Sequence, residues 1–380
     1  MPRFTTYFGI AAALFVGIFV ATVFGNVITF QTQITPNVSS TVSVLPIVEP
    51  EEVGATTSEQ PQTTPVSKKK SASPAPALAP VVLSPIEEIT TSINSIKTAL
   101  SISENSSLDA SASVLRAALV NIICYAPAGS RLRSISGSGI IVDSKGIILT
   151  NAHIAQNFLL SDRNVSCTIR AGSPAIDKYK ASLIYIPSAW VSANAKILTE
   201  TDPSGTGEYD FAFLAISKST TRDELPSSFS SIPLATSPSN IGTPVVIASY
   251  GAQFLESSQI QSSLFPTIVF GSVKDVFTFA TNTIDVLALG GSAAAQEGSS
   301  GGGVSNINSE LVGTITTSTT KGTTDTRKLD AITSSYIRAA YASETGNALD
   351  FLLAQPTATS ISNFAPKIPA LESIITAQLH

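Results

Sequence analysis

The chain has 380 residues, enough for one large domain or two smaller ones with appendages. Only 13% of residues are charged and the net charge is −5, which argues against a nucleic-acid-binding protein, whose surface would carry a basic excess. Two cysteines and two histidines are too few for a zinc cluster.

Tyr7 to Phe30 carries no charged residue. A helix rising ~1.5 Å per residue crosses a ~30 Å hydrocarbon core in about 20 residues, so this stretch is long enough to span a bilayer. Arg3 precedes it and no Lys or Arg follows until Lys68, an asymmetry that puts the amino terminus in the cytoplasm and the remainder outside. Residues 1–30 read as a membrane anchor or, alternatively, as a signal peptide. Both readings export the rest of the chain. Residues 31–83 are rich in Pro, Ser, Thr, Gln and Ala with little periodic apolar content, and read as a disordered linker. The Lys68-Lys69-Lys70 run lies inside it as solvated charge.

Residues 84–117 read as an amphipathic helical segment. Ser84 and Glu87 form a capping box with Pro85 in the first turn. Ile86, Ile89, Ile93, Ile96 and Leu100 make one apolar stripe, which either packs on its own domain or forms the seam of a homo-oligomer.

From about residue 118 the pattern changes to short β-rich runs between turns. The expected strands are Val120–Tyr125, Gly139–Val142, Gly146–Thr150, Val165–Arg170, Ala181–Tyr185 and Phe211–Ile216, then Pro244–Tyr250, Thr267–Val273, Ile284–Leu289 and Leu311–Thr317. The pattern is that of an all-β sandwich or barrel. Asp143-Ser-Lys-Gly146 reads as a hairpin turn. Residues 342–380 form a helical extension, with helices expected over Asn347–Ala354 and Pro369–Leu379.

Three short segments carry chemistry. Only His153 and the terminal His380 exist, so any imidazole chemistry falls to His153, at the end of the apolar run Gly146-Ile-Ile-Leu-Thr-Asn-Ala-His153. Asp210 opens an apolar strand, where a buried carboxylate needs a partner; orienting an imidazole is one use and capping a turn is another. Ser300 lies in Glu297-Gly-Ser-Ser-Gly-Gly-Gly303, where glycines allow a tight turn with an exposed hydroxyl and converging N–H groups. The loop also fits the Gly-x-Ser-x-Gly elbow of α/β-hydrolases, but that fold runs Ser, Asp, His. Here the order is His153, Asp210, Ser300.

These segments together resemble trypsin-like serine proteases of the HtrA/DegP type. Gly137 to His153 resembles their histidine region, Tyr209 to Ile216 their aspartate strand, Gly298 to Gly302 their nucleophile loop, and Leu329 to Arg338 the segment closing their second barrel. The resemblance covers residues 118–341. It implies a chymotrypsin-like fold of two antiparallel six-stranded β-barrels, with an N-terminal transmembrane helix and short flanking helices added. It further implies Ser300 as nucleophile, His153 as general base and acid, and Asp210 as its orienter, with no metal or cofactor. Gly298, Ser299 and Ser300 would supply the oxyanion hole, and Ile315, Thr316 and Thr317 the substrate-pairing strand. Ala294 would stand at the specificity pocket, where an apolar wall predicts cleavage after small or medium apolar residues. Cys124 and Cys167 fall on neighbouring strands of the family fold, which permits a disulfide; the other reading is two small buried side chains.

The sequence also departs from the family. Ser299 replaces the usual Asn or Asp, Gly303 stands where Pro is common, a polar insertion surrounds Thr199–Gly207, and no stretch of these residues is expected to form the family's PDZ domain. The expected function is a serine endopeptidase of the cell envelope, periplasmic or extracellular, acting on polypeptides, unfolded chains among them, in protein quality control. The competing functions are a catalytically silent peptide-binding module and a structural surface protein.

Overall fold

In a computed structural model, residues 103, 105–200, 205–318 and 321–379 are described. The expected anchor and linker and the Ile86–Leu100 stripe lie outside these residues. Among the described residues no helix is long and apolar enough to cross a membrane.

Helix α1 (residues 105–118) leads into a closed six-stranded antiparallel barrel. Its strands are β1 (Leu119–Tyr125), β2 (Ile135–Asp143), β3 (Ile147–Thr150), β4 (Ser166–Gly172), β5 (Ala175–Tyr185) and β6 (Ala212–Ser219), in the order β1-β2-β3-β6-β5-β4 and back to β1. The β2–β3 hairpin turns at Gly146, whose φ of 86° suits glycine, while Asp143 accepts hydrogen bonds from Lys145 N and Gly146 N. Ile122, Ile140, Ile147, Leu149, Ile169, Phe211 and Phe213, on both faces of its sheet, are fully buried. Closure falls to β1 and β4, where Cys124 and Cys167 face one another with Cα atoms 4.0 Å apart and are joined by a disulfide.

The second half is not a closed six-stranded barrel, contrary to the expectation. Seven strands, β7 (Pro244–Ser249), β8 (Thr267–Ser272), β9 (Asp275–Phe277), β10 (Val286–Ala288), β11 (Gly303–Ser305), β12 (Leu311–Ser318) and β13 (Leu329–Thr333), run in the order β8-β7-β11-β12-β13-β10-β9. Laid flat, the edges β8 and β9 would stand about 29 Å apart. Only Val273 and Lys274 separate them in sequence, a connection reaching about 11 Å at most, so the sheet must roll up. The edges meet without a ladder, and β9 pairs with β10 instead. The core of this half includes Val245, Ile247, Leu287, Leu289, Val304, Val312 and Leu329.

Helices α2 (Ala152–Ala155), α3 (Ser188–Asn194) and α4 (Ser257–Ser262) interrupt the strands. After β13 comes α5 (Ser334–Thr345), which runs into the extension, and then α6 (Leu349–Ala354), α7 (Thr357–Phe364) and α8 (Ile368–Thr376), three helices where two were expected. They brace the first barrel: α7 packs on β5 and β6, and α8 on α3 and the 3₁₀ helix Gln156–Arg163. Leu349, Leu352, Phe364, Leu371 and Ile375 are buried in the same core as the barrel. Each such side chain contributes roughly 1.5–3 kcal/mol. Helix α1 is also tied in, through Ser111 Oγ 2.7 Å from Ser305 Oγ and through Leu115. At Gly303, the position that often holds Pro, a Cβ would lie 2.8 Å from Leu115 Cδ1 and Leu311 Cδ1 and 2.9 Å from Ile140 Cδ1, so a side chain there would push these three aside.

Candidate active site

Strand β3 ends at Thr150, and the chain turns directly into α2, which carries His153. Strand β6 begins just after Asp210, which a tight turn delivers: Asp210 N donates to Gly207 O, Phe211 N donates to Tyr209 O, and Tyr209 takes a φ of 57°. Such a backbone is costly for a bulky residue and is held by its surroundings. Here Tyr209 N donates to the Tyr336 hydroxyl at 3.1 Å, and burial pushes the Tyr336 phenol well above the usual tyrosine range, so it stays protonated.

The β3–β6 ladder brings the two residues together. His153 Nδ1 lies 2.8 Å from Asp210 Oδ2, and His153 N donates to Asp210 Oδ1 at 2.9 Å. Thr316 Oγ1 donates to Oδ2 at 2.8 Å, and Asn151 Nδ2 donates to the Asp210 carbonyl at 2.9 Å. Asp210 is 6% exposed, so these donors replace the water its charge has lost. A carboxylate only accepts, so Nδ1 carries the proton and Nε2 is left as a base. Gln156 Nε2 donates to the His153 carbonyl at 2.9 Å and steadies the turn from behind.

Thr316 reaches Asp210 because β12 bulges there: Ile315 pairs with Ala331 and Thr317 with Asp330, leaving Thr316 between them. Beyond Ile315, β12 has a ladder on the β13 side alone, since β11 pairs only as far as Thr314. Ile315 is buried in the core, while Thr317 continues the strand.

Ser300 sits between two glycines with left-handed backbones, Gly298 (φ 89°) and Gly301 (φ 83°). A Cβ on Gly298 would lie 2.7 Å from Tyr250 O, and one on Gly301 would lie 2.0 Å from Ser138 O, so neither position tolerates a side chain. Ser138 of β2 grips this loop across the molecule. Its N–H donates to the Ser300 carbonyl at 2.7 Å and its Oγ donates to the Gly298 carbonyl at 2.8 Å, while that Oγ accepts from Tyr250 N. Gly301 N donates to Ile315 O, which places the serine loop one residue from the threonine that holds Asp210.

The loop leaves two donors unused. Among the described residues, Gly298 N–H and Ser300 N–H make no hydrogen bond. Ser299 N–H donates to Gln296 O at 3.2 Å, and its Oγ accepts from Ser249 Oγ in the interior. Ser299 therefore drops out of the expected oxyanion set, because the turn consumes its N–H. A planar trans peptide points its carbonyl and N–H in opposite directions. Glu297 O is pinned to Ala252 N at 2.8 Å, so Gly298 N–H faces the other way. Among the described residues no hydrogen bond joins Ser300 Oγ to His153 Nε2; such bonds tighten in many enzymes only when substrate binds.

Ala294 is fully buried among the apolar side chains of the second sheet, and no acid replaces it; the charged group nearest in the hydrogen-bond network is Arg327, which donates to Ala295 O. Among the described residues no cluster of His, Cys, Asp and Glu could hold a metal ion.

Residues 137–313 match the family model of the trypsin-like peptidase domain. Over those residues the chain is similar to trypsin-like peptidases. The chain is also similar to the active form of the Rv3671c protease from M. tuberculosis, with 18% identity over 63% of this chain and 85% of that one, at a TM-score of 0.38. It is also similar to the serine endoprotease from Yersinia pestis, with 20% identity over 63% of this chain and 67% of that one, at a TM-score of 0.41. No curated protein matches the chain. Sequence reasoning points to Thr316 for its backbone but not for its hydroxyl, and does not single out Ser138, Asn151 or Arg327. The Gly137-Ser138-Gly139 triplet is the one local signal, a polar residue between two glycines in an apolar strand.

Proposed function

We propose that the protein is a serine endopeptidase of the cell envelope in which Ser300 is the nucleophile, His153 the general base and then acid, and Asp210 the orienting carboxylate. The observation that carries this reading is the His153–Asp210–Thr316 chain of hydrogen bonds, beside a serine loop with two unclaimed N–H groups. Ser300 Oγ attacks the scissile carbonyl as Nε2 takes its proton. The oxyanion is met by Gly298 N–H and Ser300 N–H, a contribution of about 10²–10³ in rate per donor in comparable enzymes. Nε2 then protonates the leaving amine, and water resolves the acyl-enzyme by the same route in reverse. The free side of β12 at Thr316 and Thr317 would pair with the substrate backbone. A specificity pocket formed around Ala294 would take small or medium apolar side chains.

Export is supported by the uncharged Tyr7–Phe30 stretch and by the Cys124–Cys167 disulfide, which persists in oxidising compartments. Membrane anchoring and a role in clearing unfolded proteins belong to the same proposal. The test is to treat the full chain in detergent with a fluorophosphonate probe, beside Ser300→Ala and His153→Ala. Labelling of the wild type alone is the expected result. A folded wild type that stays unlabelled, with and without added unfolded protein, would sink the catalytic reading in favour of a silent peptide-binding module.

A further inference from the structure

Arg327 is the buried cation of the second half. It lies just before β13, is 6% exposed, and among the described residues has no carboxylate partner. Removing a guanidinium from water without a counter-charge is unfavourable, so its neutral partners must be numerous and well placed. They come from three loops. Nε donates to Gly322 O at 3.0 Å, and Nη1 donates to Gln253 Oε1 at 2.6 Å and to Ala295 O at 2.8 Å. The guanidinium also lies 5.8 Å from the centre of the Phe254 ring.

Two of these loops are the ones that meet at the Glu297–Gly298 peptide. Ala252 N–H holds the Glu297 carbonyl, and that single hydrogen bond decides which way Gly298 N–H points. Arg327 grips the chain on both sides of it: Gln253 is the residue after the donor, and Ala295 lies two residues before the acceptor. The third arm fixes the clamp to its own loop, whose backbone already abuts Gly291 so closely that a Cβ there would collide with Asp325 O.

We infer that Arg327 is a positioning residue for catalysis, which holds the loops 251–255 and 291–297 together so that Gly298 N–H stays turned towards the oxyanion. It does not touch substrate. In this chain Ser299 occupies the position next to the nucleophile and has no charge with which to anchor the loop. The planar fork of an arginine reaches three acceptors at once, which a lysine ammonium on a flexible stem does not.

The inference rests on the catalytic reading above, and its test separates the two. Full-length Arg327→Met and Arg327→Lys are compared with wild type for kcat and KM on a peptide with a small apolar residue at the cleavage site. Thermal unfolding is followed in parallel, as is hydrogen exchange in segments 251–256 and 291–299. Both variants are expected to fold and to lose kcat by about 10²-fold, the loss seen when one oxyanion donor is removed, with KM changed less than about threefold. Exchange should quicken in those two segments and not in the first barrel. A folded Arg327→Met with unchanged kcat, or a change confined to KM or to side-chain preference, would overturn the inference. Should wild type prove inactive, the catalytic reading falls, and exchange still decides the clamp: local quickening upholds it, and an unchanged or uniform pattern refutes it. Gln253→Leu keeps the guanidinium and removes one arm; it is expected to show a smaller drop in kcat in the same direction, and covers the case in which Arg327→Met fails to fold.

Discussion

At the scale of single residues, the site is a set of polar groups whose partners are fixed before substrate arrives. Asp210 illustrates the arrangement: its carboxylate receives His153 N, His153 Nδ1 and Thr316 Oγ1, and its carbonyl receives Asn151 Nδ2. Thr316→Val keeps the shape of the side chain and removes the hydroxyl. One charge-assisted donor to Asp210 is lost, and the imidazole is less firmly held. The expected outcome is a roughly tenfold fall in kcat, about 1.4 kcal/mol in the barrier, with KM little changed. A variant as fast as wild type would show that Asp210 is held well enough without it. His153 stands out because histidine is scarce, and Asp210 and Ser300 because of their settings, an apolar strand start and a glycine-rich loop, and the order of the three. The role of Ser299 is not legible, for a reason no sequence displays: whether a loop N–H is free depends on the turn that consumes it.

Among elements, strands that lie in apolar runs are legible and two short ones, β9 and β11, are not. β3 and β6 are apolar for most of their length and stand out by composition. β9 and β11 have three residues each, and β11 begins at Gly303, so no periodicity can develop; β10 is as short but lies inside the expected run Ile284–Leu289. They exist because neighbouring strands supply the ladder. The C-terminal helices likewise have weak patterns of their own and are held by what they pack against. Glu344 of α5 shows how: its carboxylate accepts from Tyr185 Oη of β5 at 2.9 Å and from Ser188 N and Oγ at the start of α3. Burial, reinforced by the Glu344 charge, pushes the Tyr185 phenol far above its usual range. Burial raises Tyr250 and Tyr336 as well. A phenol whose folded pKa is raised stabilises the fold fully below its unfolded value near 10, and that stability is lost as pH rises further. Stability should therefore fall steeply above about pH 10, by more than one proton per molecule unfolded, and Tyr185→Phe should make the fall shallower. An unfolding free energy flat from about pH 9 to about pH 11.5 would contradict this.

For the whole molecule, the question is what closes a barrel whose first and last partners are far apart in the chain. The ladder between β1 and β4 joins residues separated by the whole β2–β3 hairpin, α2 and the 3₁₀ helix, so it costs more chain entropy than the hairpins do. Cys124 and Cys167 staple that ladder across a sequence separation of 43. Chain-entropy reasoning gives a loop of that size about 4 kcal/mol of stabilisation, and about 2–4 kcal/mol is usual. A domain has only about 5–15 kcal/mol in all, so the bond is a large share of it. The family resemblance permits the pairing, but the two positions alone do not fix it, since two small buried thiols would fill the same space. The Cys124→Ala/Cys167→Ala double variant should fold in the same arrangement, because β1 remains laddered to both β2 and β4. Its urea midpoint should fall by an amount equivalent to about 2–4 kcal/mol, and wild type in strong reductant should fall to match. Equal midpoints for oxidised and reduced protein would mean that the barrel closes on its hydrogen bonds and apolar core alone, and would remove one of the two supports for an exported protein.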